Sequence, residues 1–403
     1  MTTLIPTVLL AGVLLVWLRF AWIWARVGRL PDLARGAKEL PNGTAWPRIS
    51  VVVACRNEEA GVRKAITSLL AQDYPSYEVV VVDDRSDDAT GQILREVAAD
   101  HPALRLVRVD ELPAGWLGKT NALQHGAAGA TGDWLLFTDA DVVFAPDTLR
   151  RAMVWALRDG LGHAVALPHF IAPGFLERSF VSLFGMFLLL DLRVDDLGRA
   201  GSRAHIGIGA FNLVRRDAYQ SIGGHQRLRL EVADDVKLGL VLRRSGVRQG
   251  CADSGGLVRV RWQQGFVASM RGLVKNFFAG LEFRWLGTLR TLVLIPLATT
   301  FPALCLALGP GAGVRLLGAA AFAVPVVLQG VNARRLAGGR GTEGLLLPFA
   351  GVCLALVALT SALSATLRGA VIWRGTRYPL RDLQTGGVRD ADWPPERAPG
   401  AAV

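Results

Sequence analysis

Residues 49–59, ISVVVACRNEE, decide the fold of this chain, because an apolar run from Ile49 to Ala54 stops abruptly in polar and charged residues. A short continuous run of this kind predicts a strand that is buried on both faces. Residues 78–88, EVVVVDDRSDD, and residues 134–141, WLLFTDAD, repeat the pattern. Helical patterns follow each run, so strand and helix alternate. This alternation predicts an α/β domain with a mostly parallel, Rossmann-like sheet.

The stretches between these runs fit the same alternation. Leu104–Val109 predicts a further strand, and helical patterns cover 87–99, 119–130 and the stretch that ends at Arg158. Ser86 is placed to cap the helix that follows the second strand.

Acidic residues follow three of the predicted strands at the points where they end. They are Glu58 and Glu59 after the first strand, Asp83 and Asp84 after the second, and Asp139 and Asp141 after the strand WLLFT. In parallel sheets the ligand lies outside the carboxyl ends of the strands, so these side chains are expected to converge there. Carboxylates held together repel one another, and a divalent cation would relieve that repulsion.

The composition restricts the class of protein. Of the 403 residues 51% are hydrophobic and 20% are charged, which excludes a disordered or fibrous chain. Lys and Arg outnumber Asp and Glu by 45 to 34, a net charge of +11, and much of the surplus flanks apolar stretches. A membrane surface explains this charge better than a nucleic acid does. The four cysteines lie far apart without a CxxC pair, so they indicate neither a disulfide framework nor a zinc site.

Two nucleotide-binding fingerprints are incomplete. Gly207-Ile208-Gly209 lacks the third glycine and does not open a βαβ unit, so it is a poor dinucleotide motif. Gly118-Lys119-Thr120 resembles the end of a P-loop, but Pro113 stands where that motif requires glycine.

Apolar stretches in both terminal regions predict membrane helices. Leu4–Trp24 is interrupted only by Arg19 and is long enough to cross a bilayer; without a preceding basic region or a cleavage site, it is expected to be a retained anchor. The basic residues from Arg26 to Lys38 place the next segment in the cytoplasm. Three further apolar blocks follow: Leu289–Leu308, Val314–Val331 and Gly344–Leu367.

These blocks leave the topology open. Three full crossings would put Arg374 and Arg381 outside, against the positive-inside rule. Either one block lies in the interface, with the proline-broken Leu289–Leu308 as the first candidate, or packing overrides the charge bias. Phe175–Leu192 is a further candidate for lying on the membrane.

Four segments resemble, in order and spacing, those of the inverting family 2 glycosyltransferases of GT-A fold: Ile49–Glu59, Asp83–Asp88, Asp139–Asp141 and Asp234-Asp235. The similarity spans Ile49 to Lys275. Two more segments, Trp116–Lys119 and Trp373-Arg374-Gly375, make the chain similar to the membrane-anchored members that glycosylate lipids, such as the hopanoid-associated, carotenoid and ceramide enzymes.

The resemblance implies roles for the acidic residues on the donor side. Asp139 and Asp141 form the Asp-X-Asp motif, which holds Mg²⁺ or Mn²⁺ against the diphosphate of the donor. Asp83 is expected to bind the base or ribose of the nucleotide, with Asp84 beside it. Glu58 is expected on the first-strand loop, where uracil is bound.

The resemblance also implies the general base. Direct displacement at the anomeric carbon needs one carboxylate to take the proton of the acceptor hydroxyl, and Asp235 fits that role, with Asp234 beside it. Both are expected at the start of a helix over Val236–Arg244, where the helix dipole helps to keep a carboxylate ionised. Lys119 either contacts the diphosphate or the donor sugar, or lies on the surface. Arg261–Gln264 does not reproduce the Gln-X-X-Arg-Trp motif of polymer-making members, so processive synthesis is not expected.

These inferences predict a GT-A domain flanked by transmembrane helices that moves a hexose from a nucleotide sugar, with a UDP-sugar expected, to a lipid hydroxyl at the cytoplasmic face of the cell membrane. No nucleic-acid partner is expected. A polyprenyl-phosphate acceptor and a non-catalytic sugar-nucleotide-binding scaffold remain as alternatives. The predicted organisation is an anchor at 1–25, a linker at 26–48, the catalytic domain at 49–262, interfacial amphipathic helices at 263–287, a multi-pass membrane region of two to three helices at 288–368, and a tail at 369–403.

Overall fold

The computed structural model describes residues 3–41, 43–199 and 201–389. The predicted tail therefore lies outside the described residues beyond position 389, as do the first two residues of the predicted anchor. The chain divides into two compact units. The sheet unit comprises Pro31–Pro168, Asp196–Val260 and the chain from Arg374 onward, and the helical unit comprises the chain up to Leu30, His169–Asp195 and Arg261–Trp373.

The strands, in chain order, are β1 Ile49–Cys55, β2 Tyr77–Asp84, β3 Leu104–Val109, β4 Trp134–Asp139, β5 Val142–Phe144, β6 His163–Leu167, β7 His169–Phe170, β8 Asn212–Arg215, β9 Gln249–Asp253, β10 Val258–Val260, β11 Ala370–Trp373 and β12 Thr376–Pro379. The α-helices are α1 Leu4–Val27, α2 Val62–Leu70, α3 Thr90–Asp100, α4 Gly118–Ala128, α5 Thr148–Arg158, α6 Phe175–Asp191, α7 Arg216–Ser221, α8 Asp234–Arg244, α9 Phe266–Gly280, α10 Trp285–Thr299, α11 Phe301–Leu308, α12 Gly311–Ala337, α13 Leu347–Arg368 and α14 Leu380–Gly386.

Seven strands form the main sheet of the sheet unit, in the order β3-β2-β1-β4-β8-β6-β9. β1 is parallel to both β2 and β4, β2 is parallel to β3, and β6 is parallel to β9. β8 is antiparallel to both of its neighbours, β4 and β6. The predicted α/β fold with a mostly parallel sheet is therefore confirmed, with one reversed strand beside the WLLFT strand.

Helices cover the sheet with apolar faces. Val52 of β1 belongs to a buried cluster with Leu123 of α4 and Leu238 and Leu242 of α8. Burial of such side chains contributes roughly 1.5–3 kcal/mol each, so this cluster fixes α4 and α8 against the sheet. The first residues of both helices are consequently held near the carboxyl end of β1.

The strand register brings the acidic segments to one edge. Cys55 at the end of β1 lies opposite Asp83 on β2, and Ala54 lies opposite Asp139 on β4. Because these three strands are parallel, their carboxyl ends coincide, and the residues that follow them share one region of the surface.

The helix after β2 starts later than the sequence pattern predicts. α3 begins at Thr90, its N-cap residue is Ala89, and the Asp88 carboxylate accepts from the N–H of Thr90 at 2.9 Å. Ser86 does not cap it; its hydroxyl accepts a hydrogen bond from the main-chain N–H of Asn57 at 3.1 Å. The predicted cap is wrong because a long-range bond to the β1 loop uses the oxygen that a local cap would need.

The helical unit contains the apolar blocks. Leu4–Val27, Gly311–Ala337 and Thr342–Arg368 are each long and apolar enough to cross a membrane. The block predicted at Leu289–Leu308 is a pair of helices, Trp285–Thr299 and Phe301–Leu308, bent by 41° at the break. Pro296 lies inside the first of these helices and Pro302 in the first turn of the second.

Candidate active site

Two buried carboxylates end β2. Asp83 accepts hydrogen bonds from the main-chain N–H of Ser86 at 3.2 Å and from the guanidinium of Arg108 at 3.0 Å. Asp84 pairs with Arg85 at 2.8 and 3.0 Å, and Arg56 lies 3.9 Å from it. A buried carboxylate is tolerated only when it is paired in this way. Both residues predicted for the nucleotide pocket therefore stand at the sheet edge with cations around them.

The loop after β1 is bonded to the loop after β2. The N–H of Glu58 donates to the Thr90 hydroxyl at 2.8 Å, and the Glu58 carboxylate pairs with Arg374, from the far end of the chain. Burial, followed by the charges of Glu58, Asp83 and Asp141, raises the pKa of the Cys55 thiol, while Arg374 lowers it. The ends of β1 and β2, Asp141 and Arg374 therefore lie around the Cys55 thiol.

Asp139 and Asp141 follow β4 and differ in environment. The Asp139 side chain is 40% exposed and lies 2.9 Å from the ammonium of Lys119. Burial, and then the like charges of Asp139 and Glu58, raise the pKa of Asp141 to about 7. This is the mutual repulsion that the sequence predicts for clustered carboxylates. Among the described residues no three His, Cys, Asp or Glu side chains are grouped closely enough to bind a metal ion without further ligands.

Lys119 lies between the two acidic motifs. Its ammonium contacts Asp139 at 2.9 Å and Asp234 at 3.3 Å, and its side chain is 22% exposed. Burial favours a lower pKa for Lys119, but the carboxylates of Asp139, Asp234 and Asp235 together raise it well above its ordinary value. Lys119 is thus a charged bridge inside the site, not the surface lysine of the alternative interpretation.

Asp234 and Asp235 begin α8, as the sequence predicts; Asp234 is buried and Asp235 is half-buried. Burial, with the charge of Asp235 adding to it and Lys119 opposing it, raises the pKa of Asp234 to about 7. Burial is also the main reason why the pKa of Asp235 is raised, and the charge of Asp139 adds to it. The helix dipole alone predicts an ionised Asp235, but a loss of hydration outweighs a terminal dipole worth about 0.3–1 kcal/mol.

A glycine loop joins the two acidic motifs. The N–H of Gly209 donates to the Asp235 carboxylate at 2.6 Å, and the Gly209 carbonyl accepts from the N–H of Asp139 at 3.0 Å. Gly207 packs directly on the main-chain carbonyl of Asp235, where a β-carbon would overlap it. Gly207-Ile208-Gly209, a poor dinucleotide motif in sequence, is therefore the connection between the end of β4 and the start of α8.

Buried polar side chains from three strands hold this loop. Asn212 of β8 accepts from the N–H of Ile208 at 3.3 Å, and Gln249 of β9 accepts from the N–H of Ile206 at 3.3 Å. His163 of β6 lies between them, 3.1 Å from Asn212 and 3.0 Å from Gln249. The isolated residues of this network carry no recognisable sequence pattern, so only the fold reveals it.

The sheet edge thus brings together all eight residues predicted for the site: Glu58, Asp83, Asp84, Lys119, Asp139, Asp141, Asp234 and Asp235. It adds the Gly207–Gly209 loop and Arg374, which the sequence indicates only as part of a terminal Trp-Arg-Gly run. Their position at strand ends makes most of the acidic residues recognisable in the sequence. The Gly207–Gly209 loop and Arg374 reach the site through long-range packing, which the sequence pattern does not show.

The chain was compared with known proteins. Residues 50–223 match the model of glycosyl transferase family 2. The 4,4'-diaponeurosporenoate glycosyltransferase of Staphylococcus aureus (strain USA300) is 23% identical over 235 residues, which cover 58% of this chain and 61% of that relative. The match thus spans about three fifths of the relative's length.

A solved structure has the same fold. The mannosyltransferase PcManGT from Pyrobaculum calidifontis, in complex with GDP-Man and Mn²⁺, superposes with a TM-score of 0.52 at 20% sequence identity, covering 90% of this chain and 99% of that chain. The strand order, the acidic edge and the family match agree. Residues 50–223 therefore match glycosyl transferase family 2, and the chain shares the α/β fold of this GT-A-like neighbour.

Proposed function

We propose that this protein is a membrane-bound inverting glycosyltransferase that moves a hexose from a nucleotide sugar, with UDP as the nucleotide, to a hydroxyl group of a lipid. The observation that carries the proposal is the connection between the two acidic motifs: Lys119 contacts Asp139 and Asp234, and Gly209 bonds to Asp139 and Asp235. A base and a donor-phosphate site must be this close for direct displacement.

On the donor side, the Asp139 and Asp141 carboxylates are the residues that would hold Mg²⁺ or Mn²⁺. They fit such an ion because they offer hard oxygen ligands and Asp139 is half-exposed, while burial and then the charge of Asp139 raise the pKa of Asp141. The ion would neutralise charge on the departing diphosphate. The structural neighbour was solved with GDP-Man and Mn²⁺, which supports a nucleotide-sugar donor. Asp83, Asp84 and Glu58 are proposed to bind the nucleoside.

On the acceptor side, Asp235 is the proposed base. The acceptor oxygen forms a bond to the anomeric carbon as the bond from that carbon to the diphosphate breaks, and the hydroxyl proton passes to the Asp235 carboxylate. The raised pKa of Asp235 suits this role, because a carboxylate with a higher pKa is a stronger base. Asp234 is proposed to act with Lys119 to hold Asp235 in place.

The acceptor is proposed to be a lipid because the catalytic domain is joined to apolar helices on both sides in the sequence. A lipid partitions into the bilayer, so the active site must stay at the interface to meet it. The relative named for 4,4'-diaponeurosporenoate supports this choice. The domain boundaries predicted from the sequence, the cytoplasmic side and the multi-pass topology belong to the same proposal.

The test uses the purified full-length chain in detergent with UDP-hexoses, MnCl₂ and a lipid extract. Asp235→Asn should lower the transfer rate by about 10²–10⁴-fold, because that is the usual contribution of a general base. Binding of UDP, measured by calorimetry, should stay within a few-fold of wild type, since Asp235 is not among the proposed nucleoside contacts.

The control is Asp217→Asn, which removes an exposed carboxylate paired only with nearby groups on the α7 turn. It should transfer at the wild-type rate. Mass spectrometry of lipids from cells with and without the protein should show a hexose-sized mass difference. Wild-type protein that neither binds UDP nor glycosylates any lipid would contradict the proposal, and full activity of Asp235→Asn would remove Asp235 as the base.

A further inference from the structure

The C-terminal segment Arg374–Pro379, called here the strap, lies on the proposed donor edge within the sheet unit. The buried Tyr378 hydroxyl accepts from the N–H of Gly118, the first residue of α4, at 3.2 Å. Thr376 accepts from the Arg56 guanidinium at 3.4 Å. The strap is therefore anchored beside Asp84 and its cations by two of its side chains.

Arg374 begins the strap and reaches the β1 loop. Its guanidinium donates to the main-chain carbonyl of Asn57 at 3.2 Å and pairs with the Glu58 carboxylate. The Arg374 side chain is 44% exposed, so part of it remains open to solvent. A guanidinium offers five donors in a fixed fork, which leaves capacity for a second anion beside Glu58.

The backbone is strained where these loops meet. Asn57, Arg85 and Arg374 have φ values of 55°, 57° and 47°, in the left-handed region that non-glycine residues avoid. These are three of the six described non-glycine residues with positive φ. Strained residues of this kind gather at ligand sites.

The charge balance of the edge shows what Arg374 is suited to bind. Lys119 already contacts two carboxylates, and Arg85 and Arg108 are each paired with a carboxylate at the end of β2. A donor diphosphate at this edge also meets the negative charge of the Glu58 carboxylate, which pairs with Arg374. A half-exposed guanidinium beside Glu58 can offset that charge and bind phosphate oxygens in bidentate geometry.

We propose that the strap is part of the donor-binding site and that Arg374 binds the diphosphate of the nucleotide sugar. This inference rests on the proposed function and deepens it. Thr376 and Tyr378 hold the strap in place, and Arg374 is the residue that touches the ligand. The strap thereby joins the C-terminal region of the chain to the donor end of the reaction.

The experiment measures binding of UDP and of UMP, with GDP in parallel, to the full-length protein in detergent with MnCl₂. Arg374→Ala should weaken UDP binding by about 10–100-fold, as expected for loss of a charged hydrogen bond to phosphate. UMP binding should weaken much less, so that the preference for UDP over UMP shrinks. Arg381→Ala is the matched control, since Arg381 is an exposed arginine on α14, outside the strap, and it should bind UDP like the wild type.

A second pair of variants distinguishes diphosphate binding by Arg374 from a purely structural role, called here a latch, in which the Arg374–Glu58 ion pair only holds the strap in place. Against a Glu58→Gln background, Arg374→Ala should still reduce UDP affinity by a similar factor if Arg374 binds the diphosphate. A latch predicts no further loss in that background. Arg374→Gln serves where the alanine variant does not fold, as judged by its melting temperature without nucleotide.

The results of these measurements distinguish failure of the proposed role of the strap from failure of the proposed function. UDP binding by Arg374→Ala within twofold of an active wild type overturns the role of the strap and leaves the proposed function intact. Equal losses for UDP and UMP overturn the diphosphate contact. A wild type that binds neither UDP nor GDP and transfers no sugar overturns both.

Discussion

At the scale of single residues, Gly207 sets the distance between the proposed base and the proposed metal ligands. Its α-carbon lies against the main-chain carbonyl of Asp235, and a β-carbon there would overlap that oxygen. Backbone cannot rotate away as a side chain can, so Gly207→Ala must displace the start of α8 or the loop itself. Because misplacement of a reacting group by about 1 Å can cost about 10²-fold in rate, we expect kcat to fall by about 10–100-fold.

The measurement is steady-state transfer together with UDP affinity, which should change far less because the proposed nucleoside contacts lie on β1 and β2. Gly198→Ala is the control, since Gly198 is exposed and a β-carbon there meets no atom within 4 Å. An unchanged kcat in Gly207→Ala would show that this contact does not position Asp235.

The acidic residues could be found from the sequence, and Gly207 could not. Asp83 and Asp139 are adjacent to apolar strands, and parallel strands deliver their ends to one edge whatever the rest of the fold does. The importance of Gly207 comes from a contact with Asp235, 28 positions further along the chain, which no local pattern encodes. For the same reason Lys119 could be assigned to a helix start but not to its two carboxylates.

At the scale of elements, three neighbouring strands hold the Gly207–Gly209 loop. His163 connects the two side chains, Asn212 and Gln249, that bond to the main chain of this segment. This histidine is fully buried on β6, with Asn212 of β8 and Gln249 of β9 as hydrogen-bond partners. In the neutral form the ring can donate to the Asn212 carbonyl from Nε2 and accept from the Gln249 amide at Nδ1. A second proton would face the Gln249 N–H group, and burial lowers the pKa of His163 to about 4.

We expect this histidine to make stability depend on pH. The unfolded chain takes up a proton near the ordinary pKa of 6.5, whereas the folded chain does so only near 4. Between these values the unfolded state binds more protons, so the free energy of unfolding falls as the pH falls, by about 1.4 kcal/mol per pH unit. His163→Gln removes this titration. Its free energy of unfolding, relative to that of the wild type, should therefore rise by about 1.4 kcal/mol as the pH falls from 6 to 5.

The check is denaturant unfolding in detergent at several pH values, followed by a signal from the sheet unit. His225, whose pKa burial lowers to about 3, remains in both proteins and contributes equally to both slopes. Parallel curves for the wild type and His163→Gln would mean that His163 is not held neutral in the folded state.

The order of strands and helices along the chain could be predicted from the sequence better than the pairing of the strands. The alternation of apolar runs and helical patterns gives β1, β2, β3 and β4 with their helices, because burial on both faces requires such runs. The reversed strand β8, only four residues long, has no comparable pattern and is fixed by pairing with β4 and β6. Ser86 illustrates the same limit, since its capping pattern is overridden by a bond to the β1 loop.

At the scale of the whole molecule, contacts inside the helical unit order the apolar helices. Arg335, near the end of α12, donates to the carbonyl of Val27 at the end of α1 at 3.1 Å. These two helix ends therefore lie on the same side of the helical unit, and from the basic residues after α1 we expect that side to be cytoplasmic. α12 begins on the opposite side, and Gly318 packs against the main chain of α11, near Leu306.

The contacts of α13, the last apolar helix, show where along α10 it begins and ends. Near its start, Pro348 accepts from the Thr300 hydroxyl at the bend between α10 and α11, at 3.2 Å. Near its end, Thr366 accepts from the indole of Trp285, the first residue of α10, at 3.2 Å. α13 therefore runs back along α10 from the middle of the α10–α11 pair. Length and apolarity make 342–368 a candidate span, but from these contacts we expect α13 to be the descending arm of a re-entrant segment, with α10 and α11 together as one bent crossing.

This arrangement predicts an even number of crossings between Val260 and Arg374: up through α10–α11, down through α12, and into and out of the same side through α13. We expect Arg340→Cys and Arg377→Cys to react with a membrane-impermeant maleimide from the same side as Arg63→Cys, an exposed position on the sheet unit, and Gly313→Cys to react only from the other side. The natural cysteines are all buried, so labelling of intact and inside-out vesicles reports the introduced thiols. The positive-inside conflict then disappears, because Arg334, Arg335 and the arginines after α13 share the cytoplasmic side. Labelling of Arg340→Cys and Arg377→Cys from opposite sides would instead make α13 a full crossing.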